Sequence, residues 1–455
     1  MRLPDRSPIG RRSAILVLIA AMAVLTALAL SACGGGSSSS SSESTASAGS
    51  DESSAGGEET AASSESSAAP EEAAKGEPIK AIFINPIQSQ DTPTYPNATE
   101  ATIAFEKWTN AHGGINGRPI KITVCDERGE PTQAAACARQ GVEEGVVAAI
   151  GSFSFFGDNI VPIFEKAEVA LFGGCCAESA SELESKISFP LGSQPAYGAA
   201  AVAKAYEEGC ETMNAVIVEG AEAVFEPVME NAAKAYGKSI NKFITIPAAA
   251  KDESAVVAEA LSGNPECVAT IFGESLYKAW MGAWAQSGTE AVMYGAQGNL
   301  NEQSLEGFEE AGEGSIIAGV YTDWKTPAWD EYREALEFSE ADMSLDYGSL
   351  AAQGAWSGDV GFKVIVEGMK GPITNKTFLE AASKTTELDT GGLVPTLNLT
   401  EEWNGVKGFS RLFNRAASFA KYENGEVVPY SEDLYDATEL MEGKGKLGKG
   451  EAPES

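Results

Sequence analysis

From Pro78 onward the chain repeats one local pattern: a short run of β-branched and apolar residues, a turn, then an alanine-rich stretch with helical spacing. Strand-like runs at Ile79–Ile84, Ile120–Val124, Val146–Ile150, Val169–Phe172 and Ile187–Leu191 alternate with helical segments at Asn97–Ala111, Thr132–Glu144 and Phe155–Lys166, and a short one from Glu178. Such repetition implies parallel sheet, because a parallel neighbour is reached only through a crossover long enough to hold a helix. Several strands are apolar almost throughout, as in Ala215-Val216-Ile217-Val218 and Val268-Ala269-Thr270-Ile271-Phe272. Continuous rather than alternating hydrophobicity predicts sheets covered by helices on both faces.

After Pro195 the pattern restarts, with strands expected at Asn214–Val218, Ile240–Ile246 and Cys267–Phe272 and helices at Val224–Tyr236 and Ser254–Leu261. A body of about 375 residues exceeds what one hydrophobic core holds, so the α/β pattern predicts two Rossmann-like lobes with parallel sheets. Right-handed crossovers put the carboxyl end of every strand, and the loop after it, on one rim of its lobe. Ligand-contacting residues are therefore expected on those loops.

The ends differ in composition. Arg2, Arg6, Arg11 and Arg12 precede an uncharged apolar run from Ala14 to Leu30, the layout of a signal peptide over residues 1–32. Leu30-Ser31-Ala32-Cys33 resembles the lipobox of bacterial lipoproteins, which implies cleavage before Cys33 and lipidation of its thiol. Residues 33–77 are serine, alanine, glycine and glutamate with few large apolar side chains, predicting a disordered tether, and residues 441–455 predict a flexible tail. The formal net charge is −34, from 66 acidic against 32 basic residues, which disfavours nucleic acid or an anionic membrane surface as partners of the folded part.

Seven cysteines, one assigned to lipid, leave six in an exported chain, so three disulfides are permitted. Cys125 ends a strand-like run and Cys137 lies in the next helix, so a bridge would pin helix to strand. Cys210 and Cys267 each precede an apolar strand, and parallel neighbours would bring them together. Cys175 and Cys176 are adjacent and either form a vicinal disulfide, stay as thiols or coordinate a metal; oxidation is favoured outside the cytoplasm.

Catalytic patterns are missing. The single histidine, His112, stands beside a helix-ending Gly113-Gly114 turn, where capping is its expected role. No strand is followed by a nucleophile elbow, a phosphate-cradling loop or a dinucleotide glycine fingerprint. The expectation is a receptor, not an enzyme, with no cofactor and no metal.

Ala111-His112-Gly113-Gly114-Ile115-Asn116-Gly117-Arg118-Pro119-Ile120, followed by Cys125-Asp126-Glu127 and by Val146-Val147-Ala148-Ala149-Ile150-Gly151-Ser152, is similar to the N-terminal lobe of type I periplasmic binding proteins, in particular their branched-chain amino acid group. The resemblance implies two lobes joined by a three-crossover hinge. Lobe 1 would comprise residues 78–193 plus 321–395, and lobe 2 residues 194–320 plus 396–440. It further implies a monomer that captures a small-molecule ligand and delivers it to an ABC transporter permease; a sensor feeding a signalling partner, or more remotely a secreted hydrolase, are the alternatives.

In that family the loop after the third strand binds the ligand carboxylate, and Ser152 and Ser154 occupy matching ground, with Phe155 beside them. The next loop carries Gly174, Cys175 and Cys176 where amino acid binders show a proline and a small hydroxyl residue, a departure that weakens the assignment of an α-amino acid ligand. Gln88 and Ser89 follow the first strand. In the second lobe Phe225 stands where relatives carry tyrosine, Glu274 is placed to meet a ligand cation, Gln297 follows another strand, and Tyr321 lies near a crossover. Trp280, Trp284 and Trp356 sit at helical core spacing and are excluded from the site.

Overall fold

The structure is a computed structural model describing residues 74–89, 92–177, 179–248, 252–430 and 433–448, all within one compact unit. The signal peptide, Cys33 and the tether as far as residue 73 lie outside the described residues, as does the tail from 449.

The first five strands form one wholly parallel sheet: β1 (Ile79–Asn85), β2 (Ile120–Asp126), β3 (Ala148–Ile150), β4 (Ala170–Phe172) and β5 (Ser188–Phe189), in the order β2-β1-β3-β4-β5. β1 runs beside β2 over its full length, from Ile79 opposite Ile120 to Asn85 opposite Asp126, and beside β3 through Ala81 and Ile82. The connecting helices are α1 (Pro96–Ala111), α2 (Pro131–Glu144), α3 (Gly157–Ala167) and α4 (Ala180–Glu184). Proline opens both α1 and α2, where its missing N–H leaves no helical bond unmade.

The chain then leaves this layer and builds a second sheet. After α5 (Gln194–Glu207) come β6 (Met213–Val218), α6 (Glu222–Ala235), β7 (Lys242–Ile246), α7 (Ser254–Ala260), β8 (Cys267–Ile271), α8 (Glu274–Ser287), β9 (Val292–Ala296), α9 (Glu309–Gly312) and β10 (Ile316–Gly319). These strands stand in the order β7-β6-β8-β9-β10, which repeats the winding of the first sheet. α5 is buried along almost its whole length between this sheet and α6, and its run of alanines permits the close approach.

A second passage returns the chain to the first lobe. There α10 (Asp330–Phe338) and α11 (Leu350–Gly368) pack on α1, and α12 (Asn375–Ala382) packs near β3 and β4. In the core of this layer Phe105 meets Trp356 edge-on at 5.6 Å. A third passage leads to β11 (Ala416–Glu423), β12 (Glu426–Pro429), β13 (Tyr435–Asp436) and α13 (Thr438–Met441) on the second lobe. The fold is thus the expected pair of α/β lobes joined by three crossings.

The second sheet departs from all-parallel at this end. β11 runs antiparallel to β10, and β12 and β13 both pair antiparallel with β11. The β11–β12 hairpin turns through Asn424 and Gly425, whose φ values of 56° and 85° are those of a tight two-residue turn.

Two boundaries also differ from expectation. The segment read as tether is held to the body from Ala74, whose N–H donates to Asn110 O at 3.2 Å, while Lys75 N–H donates to Gly117 O at 3.0 Å. The segment read as a tail stays packed to Gly448: Met441 is buried and Gly448 N–H donates to Asp436 O at 2.9 Å. In both places backbone groups find partners on the body, which outweighs the low apolar content of the segments.

All three disulfides are formed. Cys125–Cys137 ties β2 to α2 with Cα atoms 5.7 Å apart, and Cys210–Cys267 joins the lead-in of β6 to the start of its neighbour β8 at 6.2 Å. Cys175–Cys176 is a vicinal bridge with Cα atoms 3.7 Å apart.

Candidate ligand-binding cleft

In a sheet wound 2-1-3-4-5, the strand order reverses beside its first strand, and the loops after the first and third strands splay apart there to leave a crevice. Both lobes of this protein have that reversal, and their crevices face one cavity of about 490 Å³. Its first-lobe wall comes from the segment after β1 (Thr92 to Asn97), the loop after β3 (Phe153, Phe155, Phe156) and the vicinal pair Cys175–Cys176 after β4. The opposite wall comes from Glu219, Gly220 and Ala221 after β6, Phe272, Gly273 and Glu274 after β8, and Gly298 and Asn299 after β9. Tyr197 and Phe225 from α5 and α6 close the back, and residues between Leu345 and Ala351, at the start of α11 and just before it, close one side.

Aromatic rings dominate the first-lobe wall. Tyr95 and Phe153 meet edge-on at 4.8 Å, Phe153 and Phe155 edge-on at 4.9 Å, and Tyr95 and Phe155 lie 6.4 Å apart. Across the cleft Tyr197 packs on Phe225 at 5.4 Å. The lobes come close at the mouth, where a Cβ on Gly273 would stand 3.3 Å from Pro93 Cγ.

The vicinal disulfide is set by its neighbours on α11. A Cβ on Gly358 would stand 2.8 Å from Gly174 N and 2.9 Å from the Cα atoms of Gly151 and Gly173, and a Cβ on Gly354 would stand 2.5 Å from Cys175 Cβ. These two glycines therefore let α11 lie directly against the loops after β3 and β4. Gly174 itself adopts φ 83° and contributes its backbone to this contact rather than a wall of the cavity.

Of the residues expected at the site, the structure brings together Phe155, Cys175, Cys176, Phe225 and Glu274 on the cavity wall. The others lie elsewhere. The Ser152 hydroxyl accepts from Ile84 N–H at 3.0 Å and donates to Ile150 O at 3.2 Å, tying β3 to β1. The Ser154 hydroxyl donates to the Glu127 carboxyl and accepts from Phe156 N–H at 2.9 Å, so it too faces inward. Gln88 is exposed, and Ser89 caps a turn by accepting from Thr92 N–H at 3.0 Å. Gln297 holds the second crossing, donating to Gln353 Oε1 at 2.7 Å and accepting from Val320 and Tyr321 N–H. Tyr321 is buried edge-on against Trp329.

The missed wall residues include Tyr95, Asn97, Phe153, Phe156, Tyr197 and Asp346. Tyr95 follows the first strand and immediately precedes Pro96 at the start of α1, a signal the strand-end rule could have used. Asp346 follows no strand, so that rule could not reach it. Asn97 belongs to the same corner: its amide donates to Asp346 O at 2.7 Å and to Ser349 Oγ at 2.8 Å.

Charge is one-sided. Glu219, Glu274 and Asp346 line the cavity, and among the described residues no lysine, arginine or histidine does. Asp346 is satisfied, its carboxylate accepting from Asn301 Nδ2 at 2.9 Å and from Gly348 N–H at 2.8 Å; burial nonetheless pushes it above the ordinary aspartate value. Burial also raises Glu274, Asp346 adds to the rise, and the exposed Lys278 one turn along α8 opposes it. Glu127, fully buried behind the Ser154–Phe156 loop, is pushed up to about 7 by loss of solvent; the Ser154 hydroxyl and Phe155 N–H pull the other way and Asp126 pushes it up further.

Two wound lobes with a cavity at both reversal points define a type I periplasmic binding protein. The periplasmic binding protein family model matches residues 78–407, and the chain belongs to that family. Solved structures with the same fold include a substrate-binding periplasmic protein from Ralstonia solanacearum, at 17% identity, TM-score 0.66, covering 77% of this chain and 99% of that one. A leucine binding protein from Thermotoga maritima matches at 17% identity and TM-score 0.63, over 79% and 99% of the two chains. A fatty acid ABC transporter substrate-binding protein from Thermomonospora curvata matches at 17% identity and TM-score 0.68, over 82% and 96%. No curated protein sequence matches the chain. The family is one of exported solute-binding proteins, which places the body in the periplasm or at the cell exterior, and its fold is that of substrate-binding proteins rather than of enzymes.

Proposed function

We propose that this protein is the substrate-binding component of an ABC transporter, tethered to the membrane through a lipid on Cys33, and that it captures one small solute in the interlobe cavity as a monomer. The observation that carries the reading is the position of that cavity, bounded by the loops at both reversal points and therefore sensitive to how the lobes are disposed. A solute that touches both walls favours the closed disposition, which is the signal a permease can read. The structural relatives include proteins named for leucine and for fatty acid. Amino acids and their small amide or carboxylate relatives are the starting class, and the aromatic wall suits an apolar side chain.

A thermal-shift screen of the purified protein against amino acids, small amides, aromatic acids and sugars tests this. A ligand bound only by the folded state at about a hundred times its Kd adds roughly 2.7 kcal/mol of stability, so one class of compound should raise the melting temperature and the others should not. No shift in any class, together with turnover of one of the compounds, would remove the capture reading.

A further inference from the structure

The chemistry of the cavity narrows the solute class, on the premise that the cavity is the capture site. A carboxylate bound at the loop after β3 needs free N–H and O–H donors, and most of those are engaged within the protein. Gly151 N–H donates to Phe172 O at 2.9 Å, Phe153 N–H to Ile84 O at 3.0 Å and Phe156 N–H to Ser154 Oγ at 2.9 Å. Phe155 N–H lies near enough to the Glu127 carboxyl to favour its charged form. The hydroxyls of Ser152 and Ser154 face inward as well. Among the described residues no basic side chain on the cavity wall replaces them.

What the cavity does offer suits positive charge. The Glu274 carboxylate, half-buried on the wall, makes no hydrogen bond and no ion pair with the described residues. Leaving a carboxylate partly desolvated and unpaired is costly unless a cation completes it. Opposite it stand the rings of Tyr95, Phe153 and Phe155, whose faces attract cations and whose edges pack against alkyl groups. Glu274 also heads α8, and a carboxylate there is favoured by the helix dipole, but the same carboxylate repels any anion that approaches this terminus.

We infer that the captured solute is a small organic cation with an apolar body and no carboxylate, its ammonium group seated between Glu274 and the Tyr95–Phe153–Phe155 wall. Asp346 adds negative potential from the side, and Lys278 remains outside the cavity. The solute is then the amine counterpart of an apolar amino acid, or a quaternary ammonium compound.

Isothermal titration of the purified protein with three matched pairs separates the possibilities: isoamylamine and leucine, phenethylamine and phenylalanine, choline and betaine. In at least one pair the member lacking a carboxylate should bind about tenfold or more tightly than its partner. Glu274→Gln should weaken that amine by about tenfold without lowering the melting temperature of the unliganded protein, and Glu274→Asp should retain part of the affinity. Equal or tighter binding by the carboxylate-bearing members, or an unchanged affinity in Glu274→Gln, overturns the inference and leaves solute capture standing. Absence of binding by all six overturns the inference, and if the broader screen also shows no stabilisation and one of its compounds is turned over, solute capture falls with it.

Discussion

Glu127 puts a titratable group with no solvent access directly behind the aromatic wall of the cleft, and its neutral isostere makes the cost of that placement measurable. Its folded-state value of about 7 lies above the ordinary 4.5 because burial disfavours the charged form. A raised acid binds its proton more tightly in the folded than in the unfolded chain. Its contribution to stability is therefore fully present below about pH 4.5 and is lost progressively as pH rises towards and through about pH 7. At roughly 1.4 kcal/mol per tenfold change in proton affinity the full loss is about 3 kcal/mol, of which roughly 2.5 kcal/mol falls between about pH 5 and about pH 8. Glu127→Gln keeps an acceptor for the Ser154 hydroxyl and cannot ionise, so it should lack this term. Urea unfolding of both proteins at the two pH values gives the comparison, and any constant offset from the substitution cancels. The other raised acids, Glu106, Glu226, Glu253, Glu274, Asp346 and Asp359, act equally in both proteins. Parallel curves, agreeing within about 0.5 kcal/mol over that range, would refute the assignment of an ionising, uncompensated Glu127.

Two further outcomes follow from packing and covalent geometry. Replacing Cys210 and Cys267 by alanine opens a loop spanning 57 residues and should cost about 4 kcal/mol in urea unfolding, against about 3 kcal/mol for Cys125 and Cys137 with their separation of 12; the reverse order would contradict a chain-entropy origin. Gly358→Ala forces a methyl group into the loops after β3 and β4 and should cost about 1–3 kcal/mol. Gly368→Ala at the open end of the same helix should be neutral or stabilising by up to about 1 kcal/mol, and equal losses at both positions would count against the close-approach argument.

Most of the fold could be read from the sequence because the strands that organise it are buried on both faces. β1, β6 and β8 carry side chains that are apolar nearly without interruption, and such runs announce helix-covered parallel sheet. The antiparallel end of the second sheet was not read, because β11 mixes Lys421 and Glu423 with apolar residues. The Asn424-Gly425 pair at its turn was the available signal. The site was legible at the level of loops, not of atoms. Strand-end reasoning reached Phe155, the two cysteines, Phe225 and Glu274, since backbone topology alone carries those loops to the rim. It misplaced Ser152 and Ser154 because a hydroxyl turns towards whichever buried donor or acceptor is unpaired, and here those belong to Ile84 and Glu127. Sequence spacing holds no record of that competition.

The seating of α11 on Gly151, Gly173 and Gly174 bears on how this receptor could acquire a new ligand. Where helix backbone touches loop backbone, no side chain can be enlarged or trimmed to reshape the backing of the wall, and the vicinal cysteines continue the stiff region. Drift in specificity would be channelled to the side chains that stand in front of that backing, Tyr95, Phe153 and Phe155 on one lobe and Glu219, Phe225 and Glu274 on the other. The backbone behind the first-lobe wall is then a fixed template, and the side chains that face the cavity are the part on which selection can act one substitution at a time.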